Sequence, residues 1–394
     1  MKVNQMKKRV LFRGPALTNS GYGVHSRQVL DWLFTKSNID LTVGALPWGI
    51  TTWQIDGLKR DPSDIFHKIT RASQPPSGPI DVSFQLQLPH EWDPNIAKVN
   101  IGITAGIESD KCSSEWIHAA NKMSAIVVPS QHAANAFLNN EVALLVPIHV
   151  IPESYTDIHV KDIELSQVTT RFNFLCVSQI THPDPAIDRK WVYNMIGTFL
   201  KTFADNEDVG LILKVNMGRF TPIDKRIVMN SLSEVVTKFR QQYSNNKSKI
   251  YFLFGKMSDE EMYGLYTNER VHCLLAPTRG EGFGLPILEA AVSDLPIITT
   301  GWSAHTEFLI PNKYIPVKYK LTPIPSGRVD GKIWRSGSRW AEPDVSDLSQ
   351  KMKKIVSMPV KPKQWAVEQG IVLREKYSQR SIRNIYDEKL GLYL

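Results

Sequence analysis

The sequence predicts an α/β protein of two domains, each a parallel sheet covered by helices on both faces. Three observations carry this reading. The chain has 394 residues, enough for about two domains. Short apolar runs alternate with helix-period segments twice over, across residues 9–151 and again across residues 172–300. Both series contain a junction of strand, glycine-rich loop and helix start, a geometry that brings backbone amides against an anion.

In the first series, residues 9–13 (RVLFR) form a strand, and residues 14–25 form a loop rich in Gly, Ser and Asn that holds Gly21 and Gly23. A helix follows at residues 24–33, with Val24, Val29, Leu30 and Leu33 on one side. Residues 41–46 suit a second strand, and residues 56–79 read as polar and irregular. Residues 81–88 are a strand that ends at Pro89-His90-Glu91-Trp92. Strands at 100–105, 125–128 and 146–151 alternate with helices at 114–123 and 130–138, the last capped by Ser130. Residues 152–171 have no clear period and read as the passage between domains.

The second series starts with a strand at 172–178, a helix at 188–205, a strand at 210–215 and a long helix at 221–243. Residues 250–254 are a strand, and Ser258 opens a helix with Glu261 three residues on, a capping-box spacing. The strand at 272–276 runs into Pro277 and a loop holding Gly280, Gly282 and Gly284. Pro286 suits the first turn of the following helix, which Asp294-Leu295-Pro296 stops before a strand at 295–300. Two carboxylates flank this junction, Glu281 in the loop and Glu289 in the first helical turn. Carboxylates accept hydrogen bonds from hydroxyls and repel phosphates, so the pair fits a ligand bearing both a phosphate and a sugar. A plain βα turn with a capping glutamate is the structural alternative. Residues 346–358 and 364–377 are the last long helices.

Composition bounds the setting. The chain is 42% apolar and 22% charged, as in ordinary globular domains. Three scattered cysteines, Cys112, Cys176 and Cys273, form neither a metal motif nor a disulfide framework, so a reducing cytoplasmic setting is expected. The basic start is followed by no long apolar run, so no signal peptide is expected, and no run of 18 apolar residues occurs in the sequence. The net charge of +8 favours anionic partners or serves solubility alone. Residues 313–339 concentrate it, with seven cations against one acid, Asp330, and with Tyr314, Tyr319 and Trp334 between them.

The nonapeptide Glu281-Gly-Phe-Gly-Leu-Pro-Ile-Leu-Glu289 resembles the E-x7-E motif of retaining GT-B glycosyltransferases of sequence-based family 4, the group 1 glycosyl transferases. Thr300-Gly301 and Glu307-Phe308 are similar to that family's next loop, and the likeness covers about the C-terminal half of the chain. Residues 100–108 (NIGITAGIE) also look like bacteriophage-encoded members. The resemblance implies two Rossmann-like domains whose parallel sheets face a central cleft. The expected division is an acceptor-side domain at 1–165, a donor domain at 166–377, and a C-terminal helix at 378–394 that crosses back to the first.

By the same resemblance, Glu281 meets the donor sugar and Glu289 the ribose, while the amides after Phe283 and Gly284, including that of Leu285, face the donor. Gly21 and Gly23 lie beside its phosphates. Arg189 and Lys190 match the family's diphosphate grip. The usual Gly-Arg pair is replaced by Ser178-Gln179, and Lys214 is the candidate to supply the missing charge. His90 follows a strand where family members carry a histidine that touches a sugar or acceptor hydroxyl; bonding to nearby backbone alone is the alternative. His25 and His305 stand beside glycine loops. No metal motif is present, so fixed cations are expected to stabilise the departing diphosphate, with no cofactor.

The expected function is retaining transfer of a sugar from a nucleotide-diphosphate donor to a hydroxyl on a glycan, a lipid-linked sugar or a hydroxymethylated DNA base. The basic segment is expected to contact an anionic acceptor, DNA or a membrane surface. A nucleotide-sugar-binding protein without turnover is the second reading, and a GT-B phosphorylase or epimerase the third.

Overall fold

The computed structural model describes residues 7–54, 64–157, 159–216, 219–242 and 246–394. The chain begins β1 (Lys8–Gly14), α1 (Gly21–Leu33), β2 (Ile39–Ala45), α2 (Ile65–Ala72), β3 (Ile80–Leu86), β4 (Ala97–Ile103), α3 (Ser114–Ala120), β5 (Ala125–Val128), α4 (Gln131–Leu138) and β6 (Ile148–Val150). These strands pair in parallel in the order β2-β1-β3-β4-β5-β6. The winding direction reverses between β1 and β3, and the loop after β1 opens at that point.

The second sheet is built from β7 (Phe172–Gln179), α5 (Val192–Thr202), β8 (Val209–Asn216), α6 (Pro222–Gln242), β9 (Lys249–Leu253), α7 (Asp259–Thr267), β10 (Cys273–Ala276), α8 (Leu285–Val292), β11 (Ile297–Thr300), α9 (His305–Phe308) and β12 (Ile315–Val317). Its order is β12-β11-β10-β7-β8-β9, again parallel. Strand β8 is buried for seven residues in succession, as a central strand covered on both faces must be. Phe174, Leu213, Leu275 and Ile298 from the sheet pack with Trp191, Phe199 and Met352 in one apolar core. The reversal here falls between β7 and β10, so the loops after those two strands meet at the carboxyl edge. An antiparallel hairpin, β13 (Tyr319–Pro323) and β14 (Arg339–Pro343), precedes α10 (Val345–Ser357), α11 (Val360–Lys376) and α12 (Gln379–Leu390).

The chain divides into two compact units. The first comprises 1–154, 330–335 and 379–394; the second comprises 155–329 and 336–378. The first boundary lies at 154, where the sequence reading placed it at 165, because residues 155–163 bond into the second unit. The Tyr155 N–H donates to Tyr377 O (3.2 Å), the Lys161 N–H to Glu260 O (3.1 Å), and Asn268 Nδ2 to Ile163 O (2.8 Å).

Several elements differ from the sequence reading. Helix α1 starts at Gly21, three residues early, because the Ser20 hydroxyl caps it by accepting from the Gly23 N–H. Helix α2 lies within the stretch read as irregular: Asp64 caps it, Ile69 is its one fully buried residue, and at eight residues it is too short for its apolar period to stand out from the polar sequence around it. Residues 56–63 of that stretch lie outside the described residues, as does Tyr243 at the end of the long helix. Helix α5 starts at Val192, after Trp191 takes a left-handed conformation (φ 57°). The basic segment is a hairpin whose tip divides: Trp334 is 3% exposed, Ile333 packs against the Trp116–Phe137 cluster, and Arg335 pairs with Glu141 at 2.7 Å. Lys313 pairs with Glu368. The segment therefore presents no single basic face of seven cations, and Trp334 is no exposed stacking ring.

Helix α12 docks in the first unit against α1. The Tyr386 ring stacks on Trp32 at 5.2 Å, Trp32 Nε1 donates to Asp387 Oδ1 (2.8 Å), and Arg383 Nε to Asp31 Oδ2 (2.6 Å). Both rings are fully buried. Tyr386→Ala is expected to lower the stability of this unit by ~3 kcal/mol. A urea midpoint unchanged from wild type would show that α12 contributes no such packing.

Candidate functional site

The site is built where β10 runs out. After Ala276 the chain turns through Pro277 to Gly284, and Gly284 caps α8 in a left-handed conformation (φ 102°). The positive φ favours glycine, and a Cβ there would crowd the His305 Cβ at 3.2 Å. The amides of Gly284 and Leu285, at the start of α8, have no protein acceptor among the described residues. They point from the positive end of the helix, as anion-binding amides do.

Glu281 is 7% exposed, and three groups hold it. Lys190 Nζ donates to its two oxygens at 2.6 and 2.7 Å. Arg189 Nη1 lies 3.5 Å from Oε2 and donates to Gly280 O at 2.6 Å. Burial alone pushes this carboxyl up; the charges of Lys190 and Arg189 and the Lys190 hydrogen bonds outweigh it and hold it at about 2. The Glu281 N–H donates to Ser303 Oγ (3.0 Å), Ser303 lies 3.3 Å from His305 Nδ1, and His305 Nε2 lies 2.7 Å from Thr300 O. A carbonyl accepts only, so Nε2 carries the proton and Nδ1 accepts from Ser303. Burial pushes the His305 pKa down, which keeps the ring neutral for this chain of bonds.

The segment bearing the two cations precedes α5 and is held from below. Asp188 accepts from the Thr181 N–H and hydroxyl and from the Val192 N–H at 3.1, 2.7 and 2.9 Å. Arg279 Nη1 donates to Asp188 O and Pro185 O (2.9 and 3.2 Å), and its Nε to Glu342 Oε2 (2.7 Å). Glu342, on β14, also accepts from Trp191 Nε1 at 2.9 Å, and the Arg279 guanidinium lies over the Trp340 ring. Asp188, Arg279, Ser303 and Glu342 were not singled out from the sequence. The Arg279-Gly280-Glu281 run and the position of Asp188 beside Arg189 were the available signals.

A small recess opens at this edge, lined by Ser178, Lys190, Thr278, Glu281, Gly284 and Pro286. Glu289 is not in its lining. It stands one turn into α8, past the first turn where the sequence reading put it, and is half-buried. Tyr266 donates to its Oε2 at 3.0 Å. Burial is the main cause that pushes this carboxyl up to about 7, opposed by the Tyr266 hydrogen bond.

Other candidates fall elsewhere. Lys214 is buried and donates to Gly255 O (2.6 Å) and Asn216 Oδ1 (3.0 Å); burial pushes its pKa down to about 8. It is absent from the recess lining because its ammonium is tied to the loop after β9. The Phe283 side chain is core, packed on Phe308 and Tyr377 at 5.4 and 6.4 Å. In the first unit, the Gly23 amide is already used by the Ser20 cap, and a Cβ there would stand 2.2 Å from Thr18 O, so packing requires this glycine. Gly21 faces open space. His90 Nδ1 accepts from Trp116 Nε1 at 3.2 Å, which fixes the proton on Nε2. His25 is fully buried, with Nε2 at 3.3 Å from the Tyr386 hydroxyl. Among the described residues, no three His, Cys, Asp or Glu side chains gather as a metal site, and no helix is long and apolar enough to cross a membrane.

The two glutamates respond to pH in opposite senses. Glu289 is raised from 4.5 to about 7, so it contributes stability that is full below about pH 4.5 and lost as pH rises through 7. Glu281 is depressed from 4.5 to about 2, so its contribution is present above 4.5 and lost as pH falls through 2. Glu289→Gln is therefore expected to flatten the decline in melting temperature between pH 4.5 and 7. An identical slope in the variant would contradict the raised carboxyl.

No family model matches the chain. A curated relative, "Putative glycosyltransferase 45" of Sulfolobus islandicus filamentous virus (isolate Iceland/Hveragerdi), is 24% identical over 276 residues. The match covers 68% of this chain and 66% of the relative, just under two thirds of that protein. Among solved structures, sucrose-phosphate synthase of Thermosynechococcus elongatus superposes with a TM-score of 0.62 at 13% identity, over 98% of this chain and 100% of that one. Anabaena HepE, solved in complex with UDP and glucose, gives 0.62 at 14% identity over 98% and 100%. The α,α-trehalose 6-phosphate synthase of Burkholderia multivorans gives 0.63 at 10% identity over 98% and 97%. These likenesses show the fold: two parallel-sheet, Rossmann-like α/β domains of the GT-B type.

Proposed function

We propose that this chain is a glycosyltransferase that moves a sugar from a nucleotide-diphosphate donor to a hydroxyl acceptor. The observation that carries the proposal is the buried Glu281 carboxylate held by Lys190 and Arg189 beside the free amides that open α8. One edge of one sheet thus offers a hydroxyl acceptor, two cations and an anion-binding helix end. The viral relative's name and the UDP and glucose bound by HepE support the same reading.

The chemistry follows from the charges. As the bond between the anomeric carbon and the phosphate oxygen breaks, its electron pair stays with the diphosphate, and negative charge grows there. Lys190 and the amides of Gly284 and Leu285 stabilise it. Lys190 starts on Glu281, so an arriving diphosphate competes with that carboxylate for the ammonium. Glu281 then accepts hydrogen bonds from sugar hydroxyls and orients the ring. The departing phosphate oxygen takes the acceptor hydroxyl's proton as that oxygen attacks on the same face, which retains configuration. Glu289 meets the ribose. His90, with its proton on Nε2, is the proposed contact to a sugar or acceptor hydroxyl. The fixed cations serve in place of a metal ion. The acceptor class is a glycan, a lipid-linked sugar or a hydroxymethylated DNA base. The exposed Lys318, Tyr319 and Lys320 on and beside β13 suit an anionic one.

A nucleotide-sugar-binding protein without turnover is the second reading, favoured by Ser178-Gln179 at the end of β7. Release of free sugar from a nucleotide-sugar donor separates the two. Lys190→Ala is expected to lower turnover on the order of a hundredfold. Activity is expected to survive EDTA, and its loss with restoration by manganese would overturn the metal-free mechanism. A product of inverted configuration, or a glycosyl group trapped on Glu281, would overturn retention by same-face attack. Glu289→Ala is expected to weaken nucleotide binding by ~1–3 kcal/mol. Unchanged affinity would remove Glu289 from the site.

A further inference from the structure

We propose that the turn between α10 and α11 is a peripheral docking surface for an anionic lipid membrane. It is independent of the sugar-transfer reading. The two helices are joined by Met358 and Pro359. Met358 is 55% exposed and Val360 69% exposed. Neither is needed by the core, which α10 reaches through Leu348, Met352 and Ile355 and α11 through Ala366 and Leu373.

The charge along this stretch of the chain has one sign. Residues 348–367 contain five lysines and no acid. Lys351 is committed to Asp347, and Lys363 to Asp294 O. That leaves Lys353, Lys354 and Lys361 exposed around the tip, with the Lys361 ammonium over the half-buried Trp365 ring at 5.5 Å. An exposed apolar tip ringed by lysines, with an indole beside it, matches the layering of a bilayer surface. Met358 and Val360 enter the boundary between headgroups and chains, Trp365 sits at headgroup level, and the lysines meet anionic headgroups. Nucleic acid complements the lysines but not the two aliphatic side chains at the tip.

The test is flotation of the full chain with phosphatidylcholine vesicles containing phosphatidylserine, and with vesicles of phosphatidylcholine alone. The protein is expected to float with the anionic vesicles, to float weakly or not at all with the neutral ones, and to be released by high salt. Replacing Lys353, Lys354 and Lys361 with Gln is expected to lower the partition coefficient on the order of a hundredfold. Met358→Ser with Val360→Ser is expected to lower it while keeping the salt dependence. All five side chains lie on the surface, and a circular dichroism spectrum equal to wild type checks folding. No flotation of the wild type, equal flotation on neutral vesicles, or unchanged flotation of both variants would overturn the proposal.

Discussion

A carboxylate taken out of water must be compensated, and Glu281 sets that demand for the second unit. Burial alone pushes its pKa up. Lys190 and Arg189 reverse this, and the carboxyl is held ionised at about 2. Breaking such a pair by deleting one partner leaves an unpaired buried charge, which costs far more than the intact pair contributes. The two cations are thus needed to keep Glu281 charged.

The surrounding architecture follows from holding those cations still. Asp188 ties the loop after β7 to the start of α5, and Arg279 fastens the same loop to β14 through Glu342. Two non-glycine residues of this network sit at positive φ, Trp191 at 57° and Ser303 at 85°. Each is locked by a side-chain bond, Trp191 Nε1 to Glu342 and Ser303 Oγ from the Glu281 amide. Backbone strain of this kind persists only where neighbours over-determine it, as they do on both flanks of Glu281. The hairpin that follows the second sheet therefore acts partly as a brace for the site, beyond any contact its lysines make.

Much of this was legible in the sequence because parallel strands are continuous apolar runs and glycine loops mark their ends. The strands near Phe174, Leu211 and Leu274 are of that kind, as is the loop from Thr278 to Gly284. The pairing of Arg189 and Lys190 with Glu281 was not, since Lys190 and Glu281 lie 91 apart in the chain and meet only because β7 and β10 are neighbours. The partners of Lys214 were not legible, because a lysine near a strand's end gives no sign of which loop its ammonium will bond. The packing demand on Gly23 was not legible either, because a helix that must pass Thr18 closely needs glycine as much as a phosphate loop does. The burial of Trp334 and the pairing of Arg335 were not legible, because a polar, glycine-broken segment carries no period to show that its tip is buried.

The account stands on an exchange of partners at Lys190. A structure of the protein with a bound nucleoside diphosphate tests it directly. The account predicts a phosphate oxygen within hydrogen-bond distance of Lys190 Nζ and of the Leu285 amide, with Lys190 drawn off Glu281. A diphosphate bound elsewhere, with Lys190 still on both oxygens of Glu281, would contradict it.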